Sequence, residues 1–217
     1  MKKKISSIIV VCIAVCITAI FGYSYGKNKD GGELPIYESM AVYPDFSMPD
    51  LTEKASTIVS ATVVSIEDSY LEEIPVSLTE NPKEISEVLY NPVTPVILEI
   101  ETYLKGNDMA NTLTYYEEGG ITSTYIQLPD GFAMEEGMEV ILFLNEKGRS
   151  WGEQSIFPVV NNNVILNEMA LDYVDDTDVS VINTSQIENK VRNQINDSAV
   201  NVMDKEKFLS IIGEMVK

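Results

Sequence analysis

The chain has 217 residues and not one histidine. That absence removes Ser-His-Asp and Cys-His nucleophilic catalysis, H-E-x-x-H zinc sites and the commonest general base. Cysteine is nearly as scarce: Cys12 and Cys16 are the two present, both close to the N-terminus. Nothing downstream of them can hold a disulfide, so stability there must come from a hydrophobic core. The pair lies four residues apart, on one face of a helix, and ordinary apolar packing accounts for it better than palmitoylation or pairing between chains. Val11 and Val15 precede the two cysteines, where a lipoprotein route needs a small residue. Basic residues are also few, 15 against 34 acidic ones.

What is present begins with Lys2, Lys3 and Lys4, followed at once by the uncharged apolar run Ile5 to Phe21. Three ammonium groups before such a run stay on the cytoplasmic side and send the rest of the chain across. At about 1.5 Å per residue the run covers roughly 25 Å, slightly short of a bilayer core of about 30 Å, which suits a signal peptide or a short anchor. Extension through Gly22, Tyr23, Ser24 and Tyr25 reaches spanning length, and Gly22, Ser24 and Gly26 offer small residues for a signal peptidase. Residues 1–26 are therefore a signal peptide or a membrane anchor, and the protein is extracytoplasmic, anchored or secreted. Beyond that segment lie 12 of the 15 basic residues and all 34 acids, a net charge of −22. Such a body is unsuited to nucleic acid or to an anionic membrane surface. A cysteine-free exported domain fits a bacterial surface, which makes the sequons at Asn183 and Asn196 chance matches.

Residues 27–48 mix Gly, Pro and polar residues without period and are expected to be a linker. A short helix is expected from Pro49 to Ser56 with Asp50 as N-cap and Glu53 as capping-box partner. Thr57 to Glu67 is β-branched with apolar residues on both faces, the mark of a well-buried strand. Residues 68–92 hold Pro75, Pro82 and Pro92, with a helical patch near Pro82 to Leu89, and are expected to be an inserted loop. Thr94 to Leu104 alternates, with Val96, Leu98 and Ile100 on one face and Glu99 and Glu101 on the other. Further strands are expected at Asn111 to Glu117, Ser123 to Leu128 and Glu139 to Asn145, with a hairpin of Trp151 to Val160 and Val164 to Asn167 about Asn161-Asn162-Asn163. Six or seven strands with no long intervening helix predict a mainly β domain over residues 49–170, an antiparallel barrel or sandwich. Residues 171–217 read as an acidic turn and then two helices, Ser185 to Ile195 and Asp204 to Val216. Their apolar stripes pack on the barrel or, as an alternative, dock a partner.

The run from Ala55 to Ser65, then Val96 to Ile100 ending in Leu104-Lys105-Gly106, then Thr112 to Tyr115, then Gly137 to Leu144, resembles the netrin-like module of tissue inhibitors of metalloproteinases. It is also similar to small exported bacterial proteins with the same rhythm. The resemblance covers residues 50 to 167 and implies an OB-like Greek-key barrel of five strands. It rests on strand rhythm and turns. Those inhibitors place an N-terminal cysteine on the protease zinc and tie that edge with disulfides, and this exported body has no cysteine, so protease inhibition does not carry over.

With histidine absent, enzymatic chemistry is left to carboxylates. Glu72-Glu73, Glu117-Glu118 and Glu135-Glu136 are adjacent pairs, but neighbours on a strand face opposite ways, so adjacency alone makes no acid/base dyad. Asp172, Asp175, Asp176 and Asp178 could offer oxygen ligands to Ca²⁺ but lack the D-x-[DN]-x-[DN]-G spacing; a solvated turn is the alternative. Tyr115, Tyr125 and Trp151 are the candidate binding residues, since OB barrels bind on a strand face and its loops; ordinary packing is the competing account. No cofactor is expected. The sequence thus favours a non-enzymatic, extracytoplasmic binding module of a bacterial surface. Its partner would be another envelope protein or a surface ligand, with the membrane engaged through residues 5–21 if they are kept. The alternative is a carboxylate-dependent hydrolase acting on an envelope polymer.

Overall fold

A computed structural model describes residues 34–39, 42–77, 86–106 and 110–217. The segment read as signal peptide or anchor, and Pro82 to Ile85 of the expected helical patch, lie outside the described residues. In chain order the elements are β1 (Ile36–Tyr37), α1 (Met48–Lys54), β2 (Thr57–Ile66), β3 (Tyr70–Val76), β4 (Glu87–Lys105), β5 (Thr112–Glu118), β6 (Gly120–Ile121), β7 (Ile126–Gln127), β8 (Glu139–Leu144), β9 (Ile156–Val160) and β10 (Asn163–Ile165). They continue with α2 (Glu168–Leu171), β11 (Val179–Asn183), α3 (Asn189–Arg192), β12 (Ala199–Asp204) and α4 (Lys205–Met215).

Strand alternation builds two apolar layers, one on each face of the main sheet. Val59, Ala61 and Val63 of β2 join Val140, Leu142 and Leu144 of β8 in the first layer, where Val96, Leu98 and Tyr115 also pack. Ile58, Ile141 and Phe143 point the other way and meet Met48 and Leu51 of α1, Ala170 of α2, and Phe208 and Ile212 of α4. This is why β2 and β8 carry apolar residues at successive positions: each is covered on both sides.

The main sheet has the order β11-β12-β10-β9-β8-β2-β4-β3, with every pairing antiparallel. β4 is long enough to take two strands along one edge and a third along the other. Val96 to Lys105 pair with β2 and Glu87 to Val93 with β3, while Val93 to Glu99 also pair with β5. The sheet does not close into the expected barrel. Closure would bring β9 round to β5, but the free edge of β9 is taken by β10, which pairs in turn with β12. A second, small sheet has β7 between β1 and β6, with β1 parallel to β7.

Several local expectations are corrected. Residues 70–76 and 87–93 pair as strands, so the stretch taken for an inserted loop supplies β3 and the first half of β4; Pro75 is tolerated because β3 is an edge strand. Ile36–Tyr37, inside the expected linker, is a strand of the small sheet. The cap of α1 is Ser47, three residues ahead of Asp50. Its hydroxyl accepts from the Asp50 amide at 3.2 Å and donates to the Asp50 carboxylate at 2.6 Å, the spacing of a capping box. The tail contains β11 and β12, which extend the sheet, and a single turn of helix, α3, in place of a helix from Ser185 to Ile195. Ile187 and Val191 still bury as their spacing requires, but the chain is capped off at Asn193 and the Gln194 side chain is held by Ala133. The β9–β10 hairpin forms as expected, with Asn161 and Asn162 at φ of 50° and 63°, the primed turn that asparagine tolerates.

The helix α4 is capped by Asp204, whose carboxylate accepts from the Lys207 amide. Its first residue, Lys205, is largely buried and pairs with Glu101 of β4 and Glu139 of β8. Burial works against that ammonium, but its hydrogen bonds to the two carboxylates outweigh it and raise its pKa.

Candidate functional site

A groove of about 1800 Å³ opens among the segments 38–39, 43–47, 128–132, 151–156, 165–173 and 194–201. Ile156, Ile165 and Val200 supply apolar lining, and their neighbours belong to the first core layer. Five aromatic rings, those of Tyr43, Phe46, Phe132, Trp151 and Tyr173, line it as well. Glu38, Asp45, Asp130 and Glu153 contribute carboxylates, and Glu168, Asp172 and Asp197 add three more. Among the described residues that line it there is no lysine or arginine.

The walls are fixed by side-chain hydrogen bonds. The Gln154 side chain accepts from the Phe46 amide at 3.1 Å and donates to the Pro44 carbonyl at 3.0 Å, which holds the 44–46 segment against the 151–154 turn. Asn167 caps α2 by accepting from the Ala170 amide. Ser155 accepts from the Trp151 amide at 2.6 Å and donates to the Gly152 carbonyl at 2.9 Å, so Trp151 rides on a closed turn. The indole meets Phe46 edge to face at 5.9 Å, and the Lys54 ammonium sits over the Phe46 ring at 5.4 Å. Gln194 both donates to and accepts from the Ala133 backbone, tying the 128–134 wall to the segment after α3.

Behind the groove lies a charged network. The Tyr43 hydroxyl donates to Glu118 at 2.9 Å, and Arg149 bridges Glu118 at 3.2 Å and Glu72 at 2.7 Å. Burial opposes the guanidinium charge, but the two glutamates outweigh it and raise the Arg149 pKa. Burial, and then the Glu118 carboxylate, raises the pKa of Tyr43. The same two causes in the same order raise that of the groove acid Asp130.

Glu117, the neighbour of Glu118 on β5, faces inward. It is 7% exposed, and its carboxylate accepts one hydrogen bond at 2.8 Å, from the Met134 amide. Burial pushes its pKa up to about 7, with the Met134 hydrogen bond pulling the other way.

Of the residues singled out in the sequence, Trp151 and Asp172 line the groove. Tyr115 is a core residue, fully enclosed, with its hydroxyl 3.0 Å from that of Ser150; burial and then the charge of Glu117 raise its pKa. Tyr125 packs edge to face on Tyr37 at 5.7 Å, beside the small sheet and away from the groove lining. The four aspartates do not converge. Asp175 caps a 3-10 turn by accepting from Thr177, Asp176 is exposed, and Asp178 pairs with Lys207 at 2.5 Å. Among the described residues no group of three or more acidic side chains is placed to hold a metal ion. Tyr43, Phe46, Asp130 and Glu153 went unseen as site residues because the groove is assembled from segments far apart in sequence.

No family model, curated protein or solved structure matches the chain.

The turn that leads from β5 toward the 128–132 wall depends on glycine. Gly119 has φ +129°, and a Cβ there would lie 2.9 Å from both the Gln127 carbonyl oxygen and the Pro129 nitrogen. Gly119→Ala is expected to cost about 2–3 kcal/mol, since backbone atoms must shift and the φ is unsuited to a side chain. Gly213, in α4 with nothing within 4 Å of the added carbon, is the control. Gly213→Ala should be neutral or stabilise by up to about 1 kcal/mol. Urea unfolding of both variants separates the two; equal effects would mean that the Gly119 turn is not constrained.

Proposed function

We propose that this chain is a non-enzymatic, extracytoplasmic binding module of a bacterial cell surface, and that its ligand seats in the groove. The ligand is positively charged and carries apolar or aromatic groups. One observation carries this: the groove combines five aromatic rings and an apolar lining with seven carboxylates and no lysine or arginine among its described lining residues. A cation beside an aromatic face gains about 0.5–2 kcal/mol, more as it is desolvated. The strong net negative charge draws cations toward the surface and speeds their association. Residues 1–26 either hold the module at the membrane or release it by cleavage.

The scaffold is proposed to be an OB-like Greek key that has been opened and extended. Support comes from the order β8-β2-β4-β5, in which the fourth strand returns beside the first of three successive ones. β9 follows β8, and the sheet then grows by β10, β12 and β11 where a barrel would close.

Trp151 is the one tryptophan of the chain, so its emission reports occupation of the groove. A lysine- and phenylalanine-rich decapeptide titrated into the full-length protein should give a saturable change, weakened by added salt. The double variant Asp130→Asn, Glu153→Gln should weaken it at least tenfold, and the glutamate version of the peptide should not bind. Equal affinity of variant and wild type, or no heat and no emission change with the cationic peptide, would refute the cationic ligand. The hydrolase alternative would have to run on Asp130, the groove carboxyl whose pKa is raised. Cleavage of an envelope polymer by the wild type and its loss in Asp130→Asn would put an enzyme in place of the binding module.

A further inference from the structure

Glu117 is a carboxyl group sealed beneath the groove wall, and neither the groove lining nor the charged network behind it uses it. Its neighbours leave it electrically alone. Thr94 stands opposite it on β4 and cannot titrate. Tyr115, on the same face of β5, is held neutral. Glu118 faces the other way and is bound to Arg149 and Tyr43. From the segment packed over it comes the Met134 amide, while Glu135 and Glu136 of that segment are exposed.

That segment is the groove wall. Leu128 is fastened by its amide to the Tyr37 carbonyl, and Gly137 and Met138 are fastened to the Val63 backbone. Between these two anchors the wall is held by the Glu117–Met134 hydrogen bond, by the Gln194 clasp on Ala133 and by the packing of Phe132 and Met134 on the first core layer. We propose that Glu117 is a proton-operated latch on the groove: protonated, it holds the 129–134 wall closed over β5, and loss of the proton releases that wall.

The physical reason is the asymmetry between the two states. A neutral carboxyl keeps its bond to Met134 at little cost of burial. A carboxylate strengthens that bond but faces no cation among the described residues, and burial outweighs the hydrogen bond, as the rise of its pKa to about 7 reflects. Opening the wall lets water reach the charge. With histidine absent from the chain, a switch near neutral pH has to be a displaced group of this kind. The latch regulates the groove and so rests on the groove being the binding site, but its test needs no ligand.

Amide exchange across residues 128–136 of the full-length chain, corrected for intrinsic rates, is measured from pH 5.5 to 8.5. With a closed pKa of about 7 and an open one at the ordinary 4.5, opening should increase about twentyfold between pH 5.5 and 7.5 and then level off. Glu117→Gln should show no such rise. A flat wild-type profile, or the same rise in the variant, overturns the latch whether or not any peptide binds the groove. Should Glu117→Gln fail to fold, the carboxyl resonance of Glu117 in the wild type decides: a midpoint between pH 6 and 8 supports the latch and one below pH 5 sinks it.

Discussion

Phe208→Ala should be the most damaging single truncation in the C-terminal region, lowering stability by about 3–5 kcal/mol. For a domain of this size that is a fall in Tm on the order of 10 °C. Phe208 is fully buried, and its ring lies 5.1 Å from that of Phe157, which in turn lies 5.6 Å from that of Phe143 on the central strand β8. Removing the Phe208 ring leaves a cavity against Phe157, which strand pairing and its own contact with Phe143 hold in place, so it cannot collapse into the space. Helix α4 is the roof of the second core layer, with Ile212 one turn further on and equally buried. Val181→Ala on the edge strand β11, where the side chain is 69% exposed, should stay within about 0.5 kcal/mol. If the apolar stripe of α4 were instead a docking face for a partner, Phe208→Ala would cost the isolated protein about as little. Thermal unfolding of the two variants beside the wild type distinguishes these outcomes.

The stripe on α4 was legible because a helix states its period locally: Phe208, Ile211, Ile212 and Met215 mark one face without reference to anything else. The central strands were legible for a similar reason. Glu139 to Leu144 is too apolar on both faces for an edge, and Val96, Leu98 and Ile100 alternate cleanly with Glu99 and Glu101. What the sequence concealed were elements whose pairing partner, and not their own pattern, makes them strands. Tyr70 to Val76 contains two glutamates and a proline and becomes β3 because β4 is long enough to offer it an edge. Ala199 to Asp204 becomes β12 because β10 and β11 flank it, although Val200, Val202 and Met203 were a visible β-branched and apolar run. The barrel was expected to close because β10 was read as the end of the sheet, and β12 and β11, which carry the sheet on past it, were not recognised. The groove was least legible of all. Trp151 was noticed for its turn, but its neighbours Tyr43, Phe46 and Asp130 come from segments more than twenty residues away along the chain. Alternation did say that Glu117 and Glu118 face opposite ways, but not that one of them would be buried.

That inward carboxyl should make the protein less stable as the solution becomes more alkaline, over a window where most proteins change little. The Glu117 pKa is about 7 folded and takes the ordinary value of 4.5 unfolded. Below pH 4.5 both states hold the proton and the group contributes nothing. Between pH 4.5 and 7 the unfolded chain gives up the proton while the folded one keeps it, so stability falls by about 1.4 kcal/mol per pH unit. Above pH 7 both are ionised and the loss levels off at about 3 kcal/mol. Glu101, held low by its hydrogen bond from Lys205, works in the opposite sense: its contribution is present above the unfolded pKa and is lost as the solution is acidified through the folded one. Both proteins in a comparison share that term, so it cancels. Glu117→Gln keeps an oxygen for the Met134 amide and adds an NH₂ group whose burial costs the same at every pH. The variant can therefore be the weaker protein at pH 4.5. Its unfolding free energy relative to wild type should nevertheless climb by about 3 kcal/mol from pH 4.5 to 8, measured by urea unfolding at several pH values. Parallel curves for the two proteins would mean that Glu117 ionises as an exposed glutamate does, and that the wall above it does not exclude water.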